Sequence, residues 1–113
     1  LLLRARQLFG CHFSQLFGLT ETSGAGTWLA PQDQEPGKGK LRSCGKPLPG
    51  LQLRIVDAEG RDLPAGEVGE IVIKGGTVMK GYWNNPEATT KAIADGWFRT
   101  GDAGYVDAEG FVY

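Results

Sequence analysis

Apolar residues at Leu1, Leu2, Ala5, Leu8 and Phe9 recur at helical spacing, and the pattern predicts a helix that closes at Gly10. The run from Cys11 to Phe17 alternates apolar and polar positions, which predicts a strand over 11–17 leading into Gly18. Residues 22–50 carry no period. Gly24, Gly26, Pro31, Pro36, Gly37, Gly39, Pro47, Pro49 and Gly50 punctuate them, so this stretch reads as one long loop. Alternation returns at Leu51, Leu53 and Ile55, a half-buried strand that ends in the turn Asp57-Ala58-Glu59-Gly60. A second turn at Leu63-Pro64-Ala65-Gly66 precedes the β-branched strand Glu70–Lys74, closed by Gly75-Gly76. Asn85-Pro86-Glu87 combines a capping Asn, a first-turn Pro and an acid facing the positive end of the helix dipole. That helix is predicted to run to about Asp95 and to stop at Gly96. From Ala103 to Tyr113 the pattern is a hairpin, and its Asp-Ala-Glu-Gly turn at 107–110 repeats that of 57–60. Shared turn chemistry explains the repeat without an internal duplication.

These elements add up to a stretch of α/β character over residues 1–50 and a mostly β unit with one helix over 51–113. The chain opens inside a helix without an initiator Met and stops inside a strand at Phe111-Val112-Tyr113, so it reads as a segment of something larger. With 113 residues, 41% hydrophobic and 22% charged, it has the composition of ordinary globular material. Twelve basic against thirteen acidic residues, with no basic stripe, argue against nucleic acid as a partner. No run of about 20 apolar residues is present, and no transmembrane helix is expected. Cys11, Cys44 and the lone His12 make no zinc set, and two reduced thiols are expected. His12, placed on the predicted strand, lacks the nucleophile and acid of a triad and reads as structural.

Two clusters carry candidate chemistry. In Phe17-Gly18-Leu19-Thr20-Glu21 the glycine lets a ligand approach the backbone and the Thr20 hydroxyl can donate to a phosphate oxygen. Glu21 can reach a magnesium ion, which takes few protein carboxylates and keeps phosphate and water as its other ligands. Phe17 offers a flat face for a base. Five residues of this kind also suit a plain capping turn closed by Thr20 or Glu21. The second cluster is Gly96-Trp97-Phe98-Arg99-Thr100-Gly101-Asp102. There Asp102 suits either the two hydroxyls of a ribose or an Asx turn, while Trp97 and Phe98 read as core. Gly81-Tyr82-Trp83 reads as packing and cap chemistry.

The order of motifs narrows these alternatives. The segments 17–22, Gly45-Lys46-Pro47-Leu48-Pro49-Gly50, Gly66-Glu67-Val68-Gly69-Glu70-Ile71, Gly81–Thr89 and Gly96–Asp102 follow one another along the whole chain. In this the chain resembles the adenylate-forming enzymes, with segment 81–102 closest to their acyl-CoA synthetase branch. The resemblance implies the end of an α/β subdomain followed by a mostly antiparallel, distorted β-barrel subdomain, both in a partial AMP-binding domain spanning 1–113. It implies ATP, a carboxylic acid and CoA as substrates, and magnesium as the metal. It further implies that Gln15, Leu16, Phe17, Gly18 and Leu19 line the adenine pocket, with Phe17 stacked on the base. Thr20 would then bind the α-phosphate, Glu21 the magnesium and Asp102 the ribose, Thr20 and Glu21 being the catalytic pair. Phe17 stands where the family more often has Tyr; stacking survives that change and any phenol contact is lost. The implied enzyme is cytoplasmic or peripheral to a membrane.

The family's Gly- and Ser/Thr-rich phosphate loop, its hinge and its catalytic Lys do not occur within 1–113. The isolated chain is therefore expected to lack acyl-CoA synthetase activity. A non-catalytic β-rich binding module and a piece of a peptide-synthetase adenylation domain are the alternatives at this point.

Overall fold

The computed structural model describes residues 1–113. In chain order the elements are α1 (Leu2–Phe9), β1 (Gln15–Phe17), β2 (Thr27–Leu29), β3 (Lys46–Pro47), β4 (Leu51–Val56), β5 (Gly69–Gly75), α2 (Pro86–Ala92), β6 (Ile93–Ala94) and β7 (Trp97–Gly104). Strands β1-β2-β3 form one antiparallel sheet, and β4-β5-β7-β6 form a second, larger one. An α/β opening followed by an antiparallel, bulged sheet is the fold class the pattern predicts. No helix is long and apolar enough to cross a membrane.

The core sits on β5, whose Ile71 and Ile73 are buried with Ile55 of β4 and Val112 of the tail. Strand β4 matches its predicted span, and its six residues pair in unbroken register with β5 from Leu51↔Gly75 to Val56↔Glu70. Three other expectations need correction. The strand predicted over 11–17 begins only at Gln15, because the Gln34 amide donates to the Phe13 carbonyl at 2.8 Å and takes the place of a ladder partner. His12 is consequently exposed and lies off the strand. The predicted long loop 22–50 contains β2, β3 and two single-turn 3-10 helices, Pro31–Gln34 and Pro36–Lys38, each opened by its proline. Its strands are two or three residues long, too short to register as a period.

Helix α2 ends at Ala92 rather than near Asp95. Asp95 and Gly96 have φ of 52° and 79° and make a two-residue turn that joins β6 to β7 through the pair Ala94↔Trp97. Positive φ at both positions is the condition a tight hairpin sets, and Asp-Gly is the sequence that meets it. The start of α2 is as predicted, with Asn85 Oδ1 accepting from Ala88 N at 3.0 Å.

The repeated Asp-Ala-Glu-Gly turns share one device. Asp57 Oδ1 accepts from Glu59 N and Arg61 N, and Asp107 Oδ1 accepts from Glu109 N and Phe111 N, all between 2.9 and 3.0 Å. The second turn is also clamped from outside. Lys40 Nζ reaches Asp107 at 2.7 Å, pairs with Glu109 and lies 4.6 Å over the Phe111 ring. Burial alone would raise the Asp107 carboxyl, but Lys40 and the two turn amides more than offset it and hold its pKa at about 2. A carboxyl lowered from 3.8 to about 2 stabilises the fold fully above pH 3.8 and loses that contribution as pH falls through about 2. Melts between pH 2 and 7 are therefore expected to show an acid limb in that window. Asp107→Asn is expected to lower Tm at pH 7 and to remove that part of the limb.

Candidate nucleotide site

The first cluster is shaped by close backbone approach. A Cβ on Gly18 would lie 2.2 Å from the Gly24 carbonyl oxygen, and one on Gly26 would lie 2.5 Å from the Phe17 carbonyl oxygen. Only glycine lets the chain leave β1 and fold back so tightly. The turn that follows is a 3-10 helix over Thr20–Thr22. Its cap is Thr22, fully buried, whose hydroxyl accepts from Leu19 N at 3.0 Å and donates to the Leu19 carbonyl at 3.1 Å. The capping duty thus falls on Thr22, and neither Thr20 nor Glu21 performs it.

That division leaves reactive groups free. The exposed Thr20 hydroxyl has no intramolecular hydrogen bond. Glu21 Oε1 accepts from the Tyr82 phenol at 2.8 Å, while Oε2 has no partner and no cation pairs with the carboxylate. The Glu21 carboxylate in turn raises the Tyr82 phenol above its ordinary value, by hydrogen bonding first and with some help from burial. Phe17 is half-buried and packs against the core, so its ring is held by the protein on one side. Gln15 and Leu16 are exposed, and Leu16 faces the exposed Trp28 across β1 and β2.

The second cluster is built on a bulge. Glu70 pairs with Ala103 and Val72 with Arg99, so Thr100, Gly101 and Asp102 stand opposite Ile71 alone. Gly101 takes φ 76°, which a residue with a Cβ adopts at a penalty. Thr100 Oγ1 donates to the Ile71 carbonyl at 2.8 Å and accepts from Asp102 N at 3.1 Å. Glu70 completes the frame, accepting from Gly101 N at 3.2 Å and pairing with Arg99. Asp102 therefore ends at the apex of the bulge, exposed, with its carboxylate unpaired. Phe98 is buried as expected, whereas Trp97, also read as core, is only half-buried and lies at the surface under Arg54 at 4.7 Å.

Both clusters are fastened to β5, at opposite ends. Ile71 and Glu70 hold the bulge, while Thr77 and Met79, just past the strand, hold the Thr20–Ser23 turn. No hydrogen bond joins Asp102 to residues 15–21. Gln15 also lines an apolar groove of about 740 Å³ with Leu1, Leu2, Leu3, Phe13 and Leu41. No three His, Cys, Asp or Glu side chains gather as a metal cluster. A single carboxylate with one unpartnered oxygen fits a magnesium ion that draws its remaining ligands from phosphate and water. Tyr82 and Glu70 are the site-shaping residues that sequence reasoning passed over. Tyr82 lies 61 positions from its partner and leaves no local signal. Glu70 leaves one, a strand-opening acid that the β5–β7 register sets beside Arg99.

Two glycine-framed turns thus present a hydroxyl and two carboxylates. The family profile described as AMP-binding enzyme matches residues 1–83, and the chain belongs to that family. It is 43% identical over 103 residues to a fatty acid–[acyl-carrier-protein] ligase, ScoC, from Streptomyces coeruleorubidus, covering 91% of this chain and 20% of that protein. It is 47% identical over 112 residues to a 2-succinylbenzoate–CoA ligase from Geobacillus kaustophilus, covering 99% of this chain and 22% of that one. Its fold superposes with a TM-score of 0.86, at 38% identity, on o-succinylbenzoate coenzyme A synthetase (MenE) from Bacillus subtilis in complex with AMP; the match covers 99% of this chain and 22% of that one. The chain thus spans about a fifth of the length of the curated relatives it matches.

Proposed function

We propose that this chain supplies the nucleotide-binding corner of an ATP-dependent acid–thiol ligase. In that reaction a carboxylate attacks the α-phosphorus of ATP to give an acyl-adenylate and pyrophosphate, and the thiol of CoA then takes the acyl group with release of AMP. Phe17 lies against adenine, Gln15, Leu16, Gly18 and Leu19 line its pocket, and Asp102 accepts from both ribose hydroxyls. Thr20 donates to the α-phosphate, where charge builds in the transition state, and Glu21 holds the magnesium. The metal supplies neutralisation of phosphate charge. Residues 1–50 form the α/β part of this partial domain and residues 51–113 its β-rich part, in an enzyme of the cytoplasm.

One observation carries the reading. The turns bind themselves with Thr22, Thr100 and Glu70, and leave Thr20, one oxygen of Glu21 and the carboxylate of Asp102 without partners. Groups of that kind spent on a turn would be hydrogen-bonded within it. The ligase chemistry is supported by the names of the relatives, which are ligases of a fatty acid and of 2-succinylbenzoate.

Calorimetric titration with ATP, in magnesium and in EDTA, tests the assignment. Glu21→Gln is expected to reduce the advantage of magnesium by about tenfold, the scale of a lost contact to a charged group. The chain by itself is expected to release no pyrophosphate from ATP and a fatty acid, since the family's Gly- and Ser/Thr-rich phosphate loop and catalytic Lys do not occur within 1–113. Steady pyrophosphate release would contradict that division of labour.

A further inference from the structure

We infer that Tyr82 is a positioning residue for Glu21, and that helix α2 holds Tyr82 in place through Thr89. The inference rests on the proposed role of Glu21 as the magnesium ligand.

Three hydrogen bonds staple the Thr20–Ser23 turn to the segment 77–82. Met79 N donates to the Glu21 carbonyl at 2.8 Å, Ser23 Oγ donates to the Thr77 carbonyl at 3.1 Å, and the Tyr82 phenol donates to Glu21 Oε1 at 2.8 Å. The first two fix the backbone around Glu21. Only the third fixes its carboxylate. A half-buried Glu side chain still has rotamer freedom that metal binding must remove. A phenol on a fixed backbone removes it beforehand, takes one oxygen and leaves the other open.

Tyr82 is itself held from α2. Tyr82 N donates to Thr89 Oγ1 at 2.9 Å, and Thr89 Oγ1 donates to the Asn85 carbonyl at 2.8 Å. Asn85 is the residue that caps the helix, through Ala88 N. Gly81 makes room for this contact, since a Cβ there would come within 2.7 Å of Thr89 Cγ2. The line Asn85, Thr89, Tyr82, Glu21 therefore runs from a helix cap to the free carboxylate without a break. Motif Gly81–Thr89, which carries no ligand-binding group of its own in the proposed reaction, acquires a purpose as the support of Glu21.

The test compares ATP affinity of the full chain in magnesium with that in EDTA, for the unaltered protein and for Tyr82→Phe, Thr89→Val and Thr89→Ser. Tyr82→Phe is expected to cut the magnesium advantage by about three- to tenfold while leaving the EDTA affinity and the Tm unchanged. Thr89→Val is expected to follow Tyr82→Phe, and Thr89→Ser, which keeps the hydroxyl, to retain the advantage. A purely structural role would lower both affinities together, and that outcome, or no change in either, overturns the inference while sparing Glu21. If the unaltered chain binds ATP equally well with and without magnesium, the Glu21 assignment fails and takes this inference with it.

Discussion

Gly45→Ala is expected to destabilise the fold by about 3 kcal/mol or more, the upper range for forced overpacking, and to lower Tm by more than about 10 °C. A Cβ on this residue would lie 2.0 Å from the Trp28 carbonyl carbon and oxygen, backbone atoms of β2 that cannot swing aside. Its φ of 98° adds a conformation that L side chains rarely adopt. The position is also where the first sheet meets the tail. Val112 N donates to the Gly45 carbonyl at 2.8 Å, Cys44 N donates to the Val112 carbonyl at 2.9 Å, and buried Ser43 donates to the same carbonyl at 2.7 Å. Displacing Gly45 therefore disturbs β2, the Ser43 bonds and core residue Val112 at once. Gly39→Ala is the control. Gly39 also has positive φ, 67°, but open space around it, so the change is expected to cost only about 1–2 kcal/mol, the left-handed penalty alone. Thermal melts of the two variants separate collision from conformation.

The second large effect concerns binding. Asp102→Ala is expected to weaken ATP by more than about 100-fold, since two hydrogen bonds to a charged group are worth about 1.5–3 kcal/mol each. The fold is not expected to follow, because Asp102 is exposed and contributes only its backbone N–H, to Thr100. Tm without nucleotide should therefore stay within the range of a neutral surface change, about 0.5 kcal/mol in stability. Asp102→Asn, which keeps an acceptor without the charge, is expected to fall between the two. Equal ATP affinity in Asp102→Ala and the unaltered chain would remove the ribose assignment.

Strands β4 and β5, the cap of α2 and the two Asp-Ala-Glu-Gly turns were legible in the sequence because each rests on local chemistry: alternation, an Asn-Pro start, an Asp accepting from amides two and four residues on. What was not legible depends on partners far along the chain. The strand at 11–17 is shortened by Gln34, and the loop at 22–50 is ordered by three-residue pairings with β1. Asp95-Gly96 was a local signal too, but Gly96 was read as a helix stop, although the dipeptide is the one a tight hairpin selects. In the candidate site the sequence picked out Thr20, Glu21 and Asp102 as candidates but not which hydroxyls serve as caps. Thr22 and Thr100 take that duty only because the turn and the bulge bring Leu19 and Ile71 within reach of their side chains. Tyr82, joined to Glu21 across the fold, lay outside any spacing argument.

In the proposed function the turn at Phe17–Glu21 and the bulge at Asp102 together bind a nucleotide. The most direct test is the Tm of the unaltered chain as ATP and magnesium are added. A ligand that binds only the folded state stabilises it by about 2.7 kcal/mol at roughly 100 times its dissociation constant. A rise in Tm is expected that grows with ATP concentration and shrinks when EDTA replaces magnesium. A Tm that stays fixed across the titration, in a chain whose melt is cooperative, would contradict it.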